Sequence, residues 1–281
     1  MSLKKLPEIR ADHRLSKAGF DLRPDAVDRW EPEVQASTSN SETSISIYDS
    51  IGENWEGTGV TAKRIGAALR NIGAQDVTVN LNSPGGDFFE GMAIYNLLRE
   101  HKAKVTVRVL GVAASVSSVI AMAGDEILMG DGSFLMIHNA WAVAVGNRHD
   151  MTDTAAVLAP FDAAMAALYA HRTGMSEAEA ALLMDRETWI GAQQAVDDGF
   201  ATGLLPSSEI TRAAQASGAR KPLALIEASM AKAGYSRTAR RDAFKALFST
   251  GTPGAAGEPA TPSAGPEVAA SLQSLLDAMR V

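Results

Sequence analysis

Polar and apolar residues alternate over Ser44–Tyr48, and Ile65, Leu69 and Ile72 then recur at helical spacing, which predicts a strand followed by an amphipathic helix. A second alternating strand, Val77–Leu81, is broken by Asn82-Ser-Pro-Gly-Gly86 before a helix running from about Phe88 to His101. That helix carries apolar residues on two faces, Phe88/Met92/Tyr95 and Ile94/Leu98, so it is expected to be covered on both sides. Lys104–Leu110 reads as a third strand, a small-residue helix follows from about Ala114, and short strands come near Glu126–Met129 and Ser133–Ile137. A long helix fits Asp150–Arg172. Thr173-Gly174 closes it, and Ser176 with Glu179 forms a capping box for the next helix. Strands and helices alternating at crossover length predict βαβ units and a mostly parallel sheet, an α/β fold.

The flanks have a different pattern. Residues 1–43 are polar and lack apolar periodicity, which predicts a solvated arm, and the ordered domain is expected over 44–205. Beyond it a basic helical segment is expected over 206–248. An 18-residue stretch, 249–266, holds four Gly and four Pro and reads as a linker. Val268, Leu272, Leu275 and Met279 then align on one face of a short amphipathic helix over 267–281. From Pro206 onward nine Lys and Arg face six Asp and Glu, so the tail carries +3 while residues 1–205 carry −10.

Composition narrows the function classes. Lys and Arg number 26 against 33 Asp and Glu, a formal charge of −7 over 281 residues, which argues against a general nucleic-acid binder. The absence of cysteine excludes a disulfide scaffold, a thiolate nucleophile and any sulfur-ligated metal. The longest uncharged apolar run, Val109–Gly124, has 16 residues including three serines, short of the ~18 to 20 that cross a bilayer. The first residues lack the apolar stretch of an export signal, so a cytoplasmic location is expected. There is no His-Glu-x-x-His, Walker lysine loop, Gly-x-Gly-x-x-Gly or Gly-x-Ser-x-Gly, so metal-hydrolase, nucleotide-phosphate and α/β-hydrolase readings lose support.

Three loops at strand ends carry candidate chemistry, in the place where open α/β sheets bind ligands. Ser83-Pro-Gly-Gly86 can turn backbone N–H groups outward toward an oxyanion, although Pro-Gly is also ordinary turn punctuation. Ser115, in Gly111-Val-Ala-Ala-Ser115, falls at a helix start, where the dipole suits a nucleophile and where an N-cap is the plainer role. His138, in an apolar strand end, is either a satisfied core histidine or a general base. Asp185, Glu187, Asp197 and Asp198 are the acids that could hold its tautomer, and spacing alone does not choose among them.

Taken in order, Asn82-Ser-Pro-Gly-Gly86, Gly111-Val-Ala-Ala-Ser115, Met136-Ile-His138-Asn139 and Asp185-Arg-Glu-Thr-Trp189 through Gly199 resemble the ClpP serine protease family. In particular they are similar to the ClpP-related head maturation proteases of tailed phages and prophages. The resemblance covers about 45–205 and implies a ClpP/crotonase-like spiral of βαβ units with the helix from Asp150 as a projecting handle. It places the nucleophile at Ser115, the base at His138, the oxyanion donors at the N–H of Gly86 and Val116, and the acid at Glu187, with Asp185 as the alternative. Glu187 stands where cellular members carry aspartate, and Ala140 stands where they carry proline. The implied function is a serine endopeptidase that cleaves capsid or scaffold proteins during phage head maturation, in the host cytoplasm or within the prohead. It needs no metal or organic cofactor and works as a ring of identical subunits. The sequence before Ile45 does not resemble the axial loops that meet an ATP-dependent unfoldase, which argues against that partner. The rival readings are an inactive ClpP-fold assembly scaffold and a crotonase-type acyl-CoA enzyme.

Overall fold

The computed structural model describes residues 23–32, 34–36, 43–54, 59–212 and 220–248. Helix α1 (Pro24–Arg29) and strand β1 (Val34–Ala36) open it, followed by β2 (Ser44–Ile47) and α2 (Ala62–Ile72). Ile65, Leu69 and Ile72 form the buried face of α2, as their spacing predicts. Next come β3 (Val77–Ser83), α3 (Phe88–Arg99), β4 (Val105–Ala114), α4 (Val116–Ala121), β5 (Glu126–Gly130) and β6 (Phe134–Ile137). The chain continues through α5 (Arg148–Thr173), α6 (Glu177–Asp185), β7 (Thr188–Gly191), α7 (Ala192–Asp197) and β8 (Gly203–Leu205). It ends in β9 (Ile210–Arg212), α8 (Arg220–Lys232) and α9 (Arg237–Phe248). Among the described residues no helix is long and apolar enough to cross a membrane.

The main sheet runs β2-β3-β4-β5-β8, all parallel, with apolar residues such as Val79, Val107 and Ile127 in register across its core. Strand β4 is long enough to serve two partners on the same side. Thr106–Val109 pair with β5, whereas Val112–Ala114 pair with β6, which pairs antiparallel with β7. This split brings the C-terminal ends of β4 and β6 side by side, and the candidate nucleophile and base follow those ends. In α5 the residues buried in the core are Met165, Ala166, Tyr169 and Ala170, all in its second half, and of the first half only the end, at Leu158, packs against the core. Asn147 and Asp150 form a capping box at its start, and Gly174 closes it in the left-handed region.

The expected 44–205 boundary is crossed at both ends. Residues 23–32 are not a solvated arm: Ala26, Val27 and Trp30 are fully buried, in one cluster with Val112, Ala114, Met136, Ala224 and Ala228. A helix of six residues is too short to leave a periodic signal, and its burial is supplied by residues remote in sequence. Past Leu205, β9 pairs antiparallel with β1, and Glu209 forms an ion pair at 2.6 Å with Arg108, a charged residue buried in the middle of β4. The first compact unit therefore extends to Lys245. The second, Ala246–Val281, contains the expected linker and terminal helix, which lie outside the described residues, as does the first half of the expected arm.

Candidate active site

Ser115 follows directly on β4 and is the N-cap of α4, with φ +57° and ψ −131°. A side chain in that region is strained, and such strain at a strand-to-helix turn marks a residue held for a task. The amide of Ser115 donates to Met136 O of β6 at 2.9 Å, which locks the nucleophile loop to the strand carrying His138. Its carbonyl accepts from Ser118 Oγ at 2.5 Å. Tyr169 OH, from α5, lies 2.8 Å from the same Oγ, so the tyrosine supplies the proton in that second bond. The bond to the Ser115 carbonyl is the back-bonding expected of a serine inside a helix, whereas the Tyr169 contact is not legible from spacing.

His138 is brought to the serine: Nε2 lies 2.7 Å from Ser115 Oγ. His138 is 6% exposed, and Nδ1 is enclosed without a hydrogen-bond partner. Burial pushes the His138 pKa down to about 4. The charge of Arg23 adds to this, and the charges of Glu187 and Asp25 with the Asn139 backbone only partly offset it. His138 is thus neutral at pH 7, the form that accepts a proton.

The glycine loop lies against the nucleophile. Gly85 has φ +95°, and a Cβ there would come within 2.7 Å of both Ser115 Cβ and Ala114 O, so only glycine fits. Gly86 has φ +144° and bridges Ile51, but the bonds of that bridge use Gly85 O and Asp87 N, which leaves the Gly86 amide outside it. Val116 is the first residue of α4, where an amide has no acceptor within the helix. A narrow pocket adjoins these groups, walled by Phe88, Val116, Met165 and Trp141 and reaching Ser115 and His138.

The two candidate acids separate. Strands β6 and β7 pair Met136 with Trp189 and Ile137 with Thr188, so His138 and Glu187 each lie one residue beyond the end of this ladder. Glu187 also has a positive φ, +50°, just past the end of α6. Its carboxylate, however, is not on the histidine: both oxygens are taken by the Arg23 guanidinium, Oε2 at 2.8 Å from Nη2. Asp185 accepts from Asn139 Nδ2 at 2.7 Å and does not approach His138 Nδ1 either. Sequence reading missed Arg23 altogether, because nothing local distinguishes it from the other charges of a polar segment.

A family model described as Clp protease matches residues 37–207. The chain belongs to the Clp protease family. It is a serine peptidase of the ClpP type with a mixed α/β fold, which replaces the acyl-CoA alternative. The ATP-dependent Clp protease proteolytic subunit 2 of Rhodococcus jostii is 31% identical over 147 residues, 52% of this chain and 73% of that protein. The corresponding proteolytic subunit of Deinococcus radiodurans is 26% identical over 181 residues, 60% and 89% of the two chains. The fold is shared with a ClpP1 mutant from Listeria monocytogenes, at a TM-score of 0.50 and 21% identity, covering 58% of this chain and 91% of that one.

Proposed function

We propose that this ClpP-type peptidase cleaves peptide bonds through Ser115 and His138, a reading carried by the 2.7 Å contact between Oγ and Nε2 at the strained start of α4. Nε2 takes the hydroxyl proton as Oγ attacks the substrate carbonyl, and the amides of Gly86 and Val116 receive the oxyanion. His138 then protonates the leaving amine, and water activated by the same ring releases the acyl group from Ser115. Glu187, which like His138 lies one residue beyond the Ile137–Thr188 pair, is the acid assigned to orient it, once its carboxylate leaves Arg23.

A fluorophosphonate probe is expected to label Ser115. Its labelling rate should stay level as the pH falls through the ordinary histidine range near 6.5 and drop only as His138 gains its proton at about 4, since a protonated Nε2 cannot accept the serine proton. A midpoint at 6.5 or above overturns the buried, neutral base described here. Absence of labelling at any pH favours the scaffold reading instead.

For the substrate, the motif resemblance supports capsid-assembly proteins of a tailed phage, and family members form homo-oligomeric rings, for which the first half of α5 offers an assembly surface. The apolar pattern of Val268, Leu272, Leu275 and Met279 in the sequence supports a second task, recruitment of the capsid subunit by this segment. Deletion of 266–281 is expected to leave hydrolysis of a short peptide unchanged and to abolish co-assembly into proheads. Normal incorporation of the truncated chain removes the recruiting role.

A further inference from the structure

The serine and histidine are assembled, but the acid is in other hands. Arg23 donates through Nη1 and Nη2 to the two oxygens of Glu187, and through Nε and Nη2 to Asp25 at 2.9 and 3.3 Å, so its fork spans two carboxylates. The Arg23 side chain is 16% exposed and that of Glu187 49%, so the arginine is held in place by its surroundings while the carboxylate lies open to solvent, held by the two-pronged geometry of the fork. Meanwhile Nδ1 of His138, the residue just past the end of β6, has no hydrogen-bond partner.

The unpartnered Nδ1 has a chemical consequence. For Nε2 to accept the serine proton, the ring hydrogen must sit on Nδ1, and there it would be a buried donor with no carboxylate to receive it and only the Asn139 backbone close by. The alternative tautomer satisfies the buried ring better but points Nε2–H at Ser115 Oγ, where it cannot act as a base. Loss of the carboxylate that fixes the tautomer, with the site otherwise intact, costs a serine protease about 10⁴-fold in turnover. Arg23 also opposes the imidazolium that forms during attack, because its charge already disfavours protonation of His138.

The segment bearing Arg23 is built into the site. Trp30 Nε1 donates to Asn82 O at 3.0 Å, and Asn82 Nδ2 donates to Glu31 O at 2.8 Å, which ties the segment to the loop that leads to Gly86. Ala26, Val27 and Trp30 share a cluster with Ala114 and Met136, the residues one before Ser115 and two before His138. Undocking α1 would expose the buried Trp30, whereas freeing Glu187 requires only that the Arg23 side chain swing away.

We propose that Arg23 is an inhibitory positioning residue, which holds Glu187 away from His138 and keeps the assembled serine-histidine pair without its acid until Arg23 is displaced. This rests on the Ser115–His138 reading above. When Arg23 withdraws, Glu187, which like His138 lies one residue beyond the Ile137–Thr188 pair, accepts the Nδ1 hydrogen and fixes the productive tautomer. No bond beyond hydrogen bonds is made or broken.

The test uses the full chain with Arg23→Gln and Arg23→Lys. Arg23→Gln removes the charge and the fork, and is expected to raise both the fluorophosphonate labelling rate at Ser115 and kcat on a short peptide by about tenfold or more, with KM little changed. Nitrogen NMR of the imidazole should show the hydrogen settling on Nδ1 and the His138 pKa rising from about 4, a signature that a merely structural role would not give. Adding Glu187→Gln to Arg23→Gln should cancel the gain. Arg23→Lys, which keeps the charge without the fork, should give a smaller rise and serves if the glutamine variant fails to fold. Labelling of both variants at or below the wild-type rate, with an unmoved His138 pKa, overturns the clamp and leaves the protease reading standing. Failure of every variant and of the wild type to label overturns both.

Discussion

Ser115→Ala is expected to abolish peptide hydrolysis and fluorophosphonate labelling, a fall of about 10⁶-fold in kcat on the scale of serine protease nucleophile knockouts. The Oγ makes its hydrogen bond to His138 and opens onto the pocket beside Phe88 and Met165, so its loss removes little packing. The backbone bonds that shape the loop, Ser115 N to Met136 O and Ser118 Oγ to Ser115 O, do not need the hydroxyl. The midpoint of thermal unfolding should therefore change little. His138→Ala should cost as much, and the double variant no more than either alone, because the two act as one unit. Full activity in Ser115→Ala removes the mechanism. Independent costs that multiply in the double variant would mean that the serine and histidine do not cooperate.

In the chain carrying Arg23→Gln, where the acid is free to reach His138, Glu187→Gln is expected to lower kcat by up to about 10⁴-fold, with the fold retained, while Asp185→Asn changes it little. The reason is position. Glu187 and His138 each lie one residue beyond the Ile137–Thr188 pair that ends the β6–β7 ladder, whereas Asp185 belongs to the last turn of α6 and bonds to the Asn139 side chain. An amide at Glu187 keeps the shape but loses the charge that stabilises the imidazolium. Since the same change releases Arg23, the comparison is cleanest with Arg23→Gln present in both chains, where the acid alone differs. A larger loss from Asp185→Asn than from Glu187→Gln would place the acid on α6 instead.

These two expectations differ in how far the sequence alone supports them. The order of strands and helices from β2 to α6, the cap of α6 at Ser176 and the loops bearing Gly86, Ser115 and His138 all follow from local rules: alternation, helical spacing, and turn and capping residues. Those rules act over a few residues, and the elements they form survived the comparison with shifts of a few residues at their ends. Strand β4, for example, runs on from the expected Leu110 to Ala114, because β6 and the Asn82 side chain supply partners for backbone groups that the chain itself leaves unsatisfied.

Tertiary structure decided the rest. That Ser115 meets His138, 23 residues away, depends on β4 having a second partner at its far end, which no period in the sequence encodes. The favoured acid is set by the register of β7 on β6. Its present partner is set by Arg23, 164 residues earlier in a segment whose polar pattern predicts a solvated arm. That segment is ordered because Trp30 finds a buried site among Val112, Ala114 and Met136, and burial of one large apolar side chain stabilises by about 1.5 to 3 kcal/mol without leaving any repeat to read. Whether a carboxylate belongs to a guanidinium or to an imidazole is a competition in space, won by the group with more charged donors in reach. The sequence names the competitors, and only the fold sets their distances.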